Sequence, residues 1–187
     1  MKNKNYLYGL LLYGFIAGFT SPVSAEIRQC DKEFISSDDS RIVSIGSYAQ
    51  KHTHIVRFTY PGVSILANFE GTSLQMKAKP GSGAFMVEVD DELPYRINFA
   101  ENDSIQTLAE GLPEGIHRIR IMYAIEGYEL KPAFKGFYLD KGCRLDEAPV
   151  LPERRIEFIG NSITCGYGVE SENPSDPFTY ETENHFY

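Results

Sequence analysis

The chain has 187 residues, 42% of them hydrophobic and 24% charged, with 26 acidic against 18 basic side chains and a formal net charge of -8. An acidic surface repels phosphate backbones and anionic lipids, which argues against nucleic acid as a partner. No block of five or six like charges marks an acidic tail, and the densest run, Asp90-Asp91-Glu92, reads as a solvated turn rather than a metal site.

Residues 1–25 read as a secretory signal. Lys2 and Lys4 give a positive start, Leu7 to Phe19 form an apolar stretch, and Val23-Ser24-Ala25 offers small residues for cleavage. The apolar run is short of the ~20 residues that span a bilayer, so an uncleaved anchor is the weaker alternative. The mature chain is expected to begin near Glu26, to be exported to the periplasm or beyond, and to have no membrane contact after signal removal. The two signal lysines leave with it, so the mature net charge is -10.

From Glu33 to Asp140 short strands with turn signals are expected. Residues 73–79 alternate apolar and polar side chains and stop at Pro80-Gly81-Ser82-Gly83. Phe85, Val87 and Val89 alternate with Met86, Glu88 and Asp90. Tyr95, Ile97 and Phe99 alternate with Arg96 and Asn98, and Ile119, Ile121, Tyr123 and Ile125 repeat the pattern around Arg118 and Arg120. Period two means one buried and one wet face, as in antiparallel sheets. Many such strands with Gly and Pro at the turns predict a mainly β fold, an antiparallel β-sandwich or jelly roll over 26–148. Tyr95 and Tyr123 fall on the expected core face.

Cys30 and Cys143 lie near the two ends of this β-rich stretch, where the first and last strands can meet. Export permits a disulfide between them, and two free buried thiols are the other reading. Cys165 sits in a glycine-rich turn and is expected to pack.

Residues 149–154, with Pro149 and Pro152, read as a short stiff linker. The character then changes. Arg155-Ile156-Glu157-Phe158-Ile159 is a compact strand candidate, followed at once by Gly160-Asn161-Ser162-Ile163-Thr164-Cys165-Gly166-Tyr167-Gly168. A strand running into Gly-x-Ser is how α/β hydrolases present a nucleophile: the chain turns sharply, the serine oxygen projects from the sheet edge, and glycine removes a clashing side chain. The tripeptide alone is weak, since glycine and serine are common in turns.

The longer block is specific. Gly160-Asn161-Ser162-Ile163-Thr164 after an apolar strand resembles the Gly-Asp-Ser-Leu/Ile-Thr block of the SGNH (GDSL-type) hydrolases, and IEFIGNSITCGYG is similar to carbohydrate esterase family 2, the acetyl-xylan esterase type. The segments YPGVSILANFEGTSL, LPEGIHRIRIM and KPAFKGFYLD resemble that family's N-terminal jelly-roll domain. The resemblance implies that 155–187 open an SGNH domain, with its first strand and turn. It implies that Ser162 is the nucleophile and that its backbone N–H is one oxyanion donor. Asn161 stands where most of the family has aspartate, so any role for a carboxylate there is lost. Thr164 is expected to brace the turn, and Gly160, Gly166 and Gly168 to permit its conformation.

A serine needs a base, normally histidine. The family carries that histidine near the end of the domain, with further oxyanion donors in middle blocks, and 25 residues after Ser162 are too few to hold them. The chain is thus expected to be an early-cut fragment, inactive by itself. His185 reads as the start of a helix, and His117, in Glu114-Gly115-Ile116-His117, as a structural residue. His52 and His54, alternate residues on a strand, lack the acids or cysteines to complete a metal site and read as a solvent-facing or satisfied pair.

The leading expectation is a secreted serine esterase that deacetylates xylan-like plant polysaccharide or oligosaccharide and needs no cofactor. The rival is a non-catalytic carbohydrate-binding or accessory β-sandwich module, weakened by 12 Tyr and 12 Phe but no Trp for stacking on sugars. Nucleotide binding by the glycine-rich loop is disfavoured, because no lysine follows the glycines.

Overall fold

A computed structural model describes residues 31–50, 54–154, 156, 159–162 and 166–184. The predicted signal, Cys30, His52, Thr164, Cys165 and His185 lie outside them. Among the described residues there are eleven strands and one 3-10 turn: β1 Lys32–Ser36, β2 Val43–Ile45, β3 Tyr48–Ala49, β4 Val56–Phe58, β5 Ser64–Glu70, β6 Leu74–Ala78, β7 Gly83–Val89, β8 Tyr95–Phe99, β9 Ile105–Ala109, β10 Ile116–Tyr123, β11 Ala133–Asp140, and the turn Tyr180–Thr182.

The strands form two antiparallel sheets. One has the order β3-β4-β11-β6-β9 with β1 added to β11, and the other β2-β5-β10-β7-β8. This is the expected β-sandwich of jelly-roll type. The alternation read from sequence holds where it was strongest. Leu74, Met76 and Ala78 of β6 face inward, as do Phe85 and Val87 of β7 and Ile119, Ile121 and Tyr123 of β10, all buried. Between the sheets Phe58, Phe85, Phe99 and Tyr123 form an edge-to-face cluster with centroids 5.1 to 6.1 Å apart. That is the geometry aromatic quadrupoles favour. The Tyr123 hydroxyl donates to the Ser82 carbonyl at 3.0 Å, which satisfies it deep in the core.

Asp90 and Asp91 form the β7–β8 hairpin turn, with φ of 51° and 64° and Glu92 N–H donating to the Val89 carbonyl at 2.9 Å. Positive φ at both central positions gives the turn whose twist matches the flanking strands, and aspartate tolerates it better than most residues. The acidic run is therefore the turn expected. Its Asp90 carboxylate reaches back to β10, where it accepts from the Arg118 N–H at 2.8 Å and lies 2.5 Å from His117 Nδ1.

Two expectations fail. Tyr95 is 38% exposed, not core, because β8 is an edge strand whose first residue lies at the rim; its hydroxyl donates to the Leu108 carbonyl. His54 lies before β4, not on a strand, and pairs with the Asp38 carboxylate in solvent.

Candidate active site

Beyond β11 the chain runs through Leu145, which bridges to Phe69, into the irregular stretch 149–154, where Val150 is 96% exposed. Of the strand expected after it, Arg155, Glu157 and Phe158 lie outside the described residues. Ile156 and Ile159 are outside any strand and are 80% and 89% exposed.

Gly160, Asn161 and Ser162 are exposed, and Ser162 lies in a turn. The Ser162 carbonyl accepts from the Tyr167 N–H at 3.0 Å. Gly166 is buried with φ 69°, and Gly168 has the same φ, so both glycines hold conformations that side chains oppose. Two further turns follow, from Val169 N–H to the Gly166 carbonyl at 3.1 Å and from Ser171 N–H to the Gly168 carbonyl at 3.0 Å.

What fixes this loop is a residue the sequence did not single out. Arg96 of β8, read only as a wet-face residue, donates through Nη1 to the Glu183 carbonyl at 2.8 Å and to Glu170 Oε2 at 3.2 Å. Its Nη2 donates to the Tyr180 carbonyl at 2.8 Å. A planar guanidinium suits three oxygens held in fixed directions. Glu183 is completely buried, and its carboxylate accepts from the Glu126 N–H at 3.2 Å. Glu170 N–H donates to the Thr182 carbonyl at 3.0 Å, and Asn184 Nδ2 to Glu170 Oε1 at 2.5 Å. Tyr167 stacks on Phe178 with centroids 4.0 Å apart and planes 10° apart, and Phe178 meets Tyr180 edge-on at 5.7 Å. Burial, together with the carboxylates of Glu129, Glu183 and Glu126, raises the Tyr180 phenol above its ordinary pKa. It therefore stays protonated at neutral pH. The nucleophile candidate is thus the exposed rim of a loop anchored on the sandwich.

The described histidines are engaged elsewhere. His117 is buried, with Nε2 2.8 Å from the Pro113 carbonyl and Nδ1 against Asp90. A carbonyl only accepts, so Nε2 carries a proton, and Nδ1 facing a carboxylate carries the second. Burial works against that charge, but the Asp90 and Pro113 contacts outweigh it, and the imidazole titrates above its ordinary 6.5. The structural role expected for His117 is the one observed.

The comparisons with known proteins bear on the fold beneath this loop. Residues 44–149 match the family model described as carbohydrate esterase 2 N-terminal. The chain belongs to carbohydrate esterase family 2. It is 30% identical over 158 residues to the cellulase/esterase CelE of Acetivibrio thermocellus, covering 83% of this chain and 19% of that protein. An acetylxylan esterase / glucomannan deacetylase of Cellvibrio japonicus is 34% identical over 129 residues, covering 68% of this chain and 35% of the relative. The chain therefore spans about a third or less of the length of these two family 2 relatives. Among solved structures, a family two carbohydrate esterase from Clostridium thermocellum in complex with cellohexaose matches with TM-score 0.67 at 30% identity, covering 77% of this chain and 44% of that one. A family two esterase from Cellvibrio japonicus matches with TM-score 0.71 at 24% identity over 83% of this chain and 46% of that one, and supports the fold alone.

Proposed function

We propose that the chain carries the jelly-roll domain and the nucleophile segment of an exported esterase that removes acetyl groups from xylan-like plant polysaccharide. The observation that carries the reading is Ser162, exposed on a glycine-flanked turn shortly after the stretch matched to the family 2 N-terminal domain. The relatives named as acetylxylan esterase and the neighbour bound to cellohexaose support a carbohydrate substrate. In this mechanism the Ser162 oxygen attacks the acetyl carbonyl while a histidine takes its proton. The Ser162 N–H helps hold the oxyanion, and the sugar hydroxyl leaves with the proton returned to it. Water then attacks the acyl-serine and releases acetate. Neither His54 nor His117 is the base, since each is bound to an aspartate elsewhere. The chemistry calls for no cofactor, and residues 1–25 are the proposed export signal.

The deciding experiment replaces Ser162→Ala in the protein that carries the complete hydrolase domain and follows aryl acetate hydrolysis. Loss of roughly 10⁴-fold or more in kcat is expected, and retained hydrolysis would remove Ser162 from the mechanism.

A second reading, a non-catalytic carbohydrate-binding module, is favoured by one observation. Phe34, Tyr48 and Tyr60 are 42%, 42% and 65% exposed and belong to, or directly follow, strands of the same sheet.

A further inference from the structure

The outer face of the sheet containing β11 holds a groove of about 800 Å³ at the β3–β4–β11 end. The described residues that line it include Arg57, Lys79, Lys131 and Lys135 and no acidic side chain. Among the described residues the lining thus carries four basic side chains, of which Lys79 donates through Nζ to the Leu130 carbonyl at 2.6 Å, on a chain whose net charge is -8. Such a reversal of sign concentrates the local field at the groove.

The strand register explains its shape. Ala49 pairs with Arg57, Arg57 with Ala133, and the Lys79 N–H donates to the Ala133 carbonyl at 2.8 Å. Residues directly opposed across antiparallel strands share a face. Val56 and Phe58 on either side of Arg57 are buried, so this row is the outward one. Small and cationic residues thus alternate across four strands, leaving a low floor at the alanines. Arg57 and Lys79 stand two strands apart, roughly 9.5 Å by strand spacing. Tyr48 and Tyr60, both exposed, also line the groove.

We propose that this groove binds a carboxylate-bearing glycan, a polysaccharide whose neutral rings carry uronic-acid substituents. The inference rests on the carbohydrate reading above and names the charge class of the polysaccharide. Tyrosine faces match the apolar C–H faces of pyranose rings, and separated cations match carboxylates spaced along a mostly neutral polymer. A densely charged polyanion fits the cations equally well but is repelled by the rest of the acidic surface. The glycan with sparse charge satisfies both conditions. Lys131 and Lys135 supply point charges for the carboxylate.

Isothermal titration of the 187-residue chain tests this with three probes: glucuronic-acid-substituted xylo-oligosaccharides, the same sugars after reduction of the carboxyl to the alcohol, and unsubstituted xylo-oligosaccharides. Carboxyl reduction is expected to weaken binding about tenfold or more, as loss of one charge-assisted hydrogen bond does. The double variant Lys131→Gln/Lys135→Gln should lose the preference for the acidic sugar and keep its affinity for the neutral one. Tyr60→Ala, at an exposed position, should weaken both. Equal affinity for the acidic and reduced sugars, binding of none of the three, or displacement by heparin at physiological salt as effective as by the acidic oligosaccharide would each overturn the proposal. Aryl acetate hydrolysis dependent on Ser162 would survive any of those results, and its failure would leave the groove measurements standing.

Discussion

Gly136 is the residue on which the ladder of β11 turns. Between Phe134 and Gly136 the register with β6 shifts, and Gly136 has φ 143°. A Cβ there would lie 2.1 Å from the Ile35 carbonyl and 2.9 Å from the Phe34 ring. Replacement of Gly136 by Ala should therefore cost at least ~2 kcal/mol in denaturant unfolding and release β1 first. Unchanged stability would show that the bulge can relax.

The Asp90–His117 pair makes a second prediction at this scale. Burial opposes the Asp90 charge too, but bonds from His117 and the Arg118 N–H win, and its carboxyl titrates below the ordinary 3.8. The lowered acid contributes stability above its unfolded value that disappears as pH falls through the folded one. The raised histidine contributes below about 6.5, and that contribution is lost as pH rises through its folded value. The pair is fully stabilising only between about pH 4 and 6.5. Asp90→Asn keeps the turn conformation and removes the charge. The Tm gap between parent and variant should be larger at pH 5.5 than at pH 8.5, and a gap independent of pH would refute the ionic account.

Among elements, β6 was legible in the sequence because it keeps period two throughout, and β7 and β10 because Phe85, Val87 and Val89 and Ile119, Ile121 and Tyr123 keep it on the inward face, although Met86 and Met122 between them are buried too. β11 was not, because its bulge places the buried Phe134 and Phe137 three residues apart, which breaks the alternation that marks a strand. The two- and three-residue strands β2, β3 and β4 are too short to show any period. The Gly160–Ser162 turn was legible because its residues are contiguous. The anchor of the loop was not: Arg96 meets partners 74 to 87 residues away, and nothing local to Arg96 or Glu183 announces that contact. Removing it with Arg96→Ala should speed amide exchange across 166–184 roughly tenfold or more while leaving the β10 amides protected. Equal acceleration in both would show that Arg96 supports the whole sandwich.

For the molecule as a whole, the chain's two ends of the β-rich region converge. β1 pairs with β11 from Lys32↔Asp140 to Ser36↔Gly136, and the Lys141 N–H donates to the Asp31 carbonyl at 2.8 Å. Lys32 Nζ meets Asp140 Oδ1 at 2.7 Å, and Ser73 donates to Asp140 Oδ2 at 2.8 Å, tying β1 to β11 and β6. Cys143 lies just past β11 and Cys30 just before β1 in sequence, and we propose that the two pair. Peptide mapping of oxidised protein should recover them linked, and Cys30→Ser should lower stability by about 2–4 kcal/mol under oxidising conditions only. An equal loss in reductant would refute the bridge.

The guanidinium of Arg96 also bears on where this molecule is divided for laboratory work. A clone stopped at the prolines near residue 150 would strip three oxygen acceptors from that cation and uncover the surface under Tyr180. Solubility trials should therefore favour end-points past residue 184 over the tidier boundary that composition suggests.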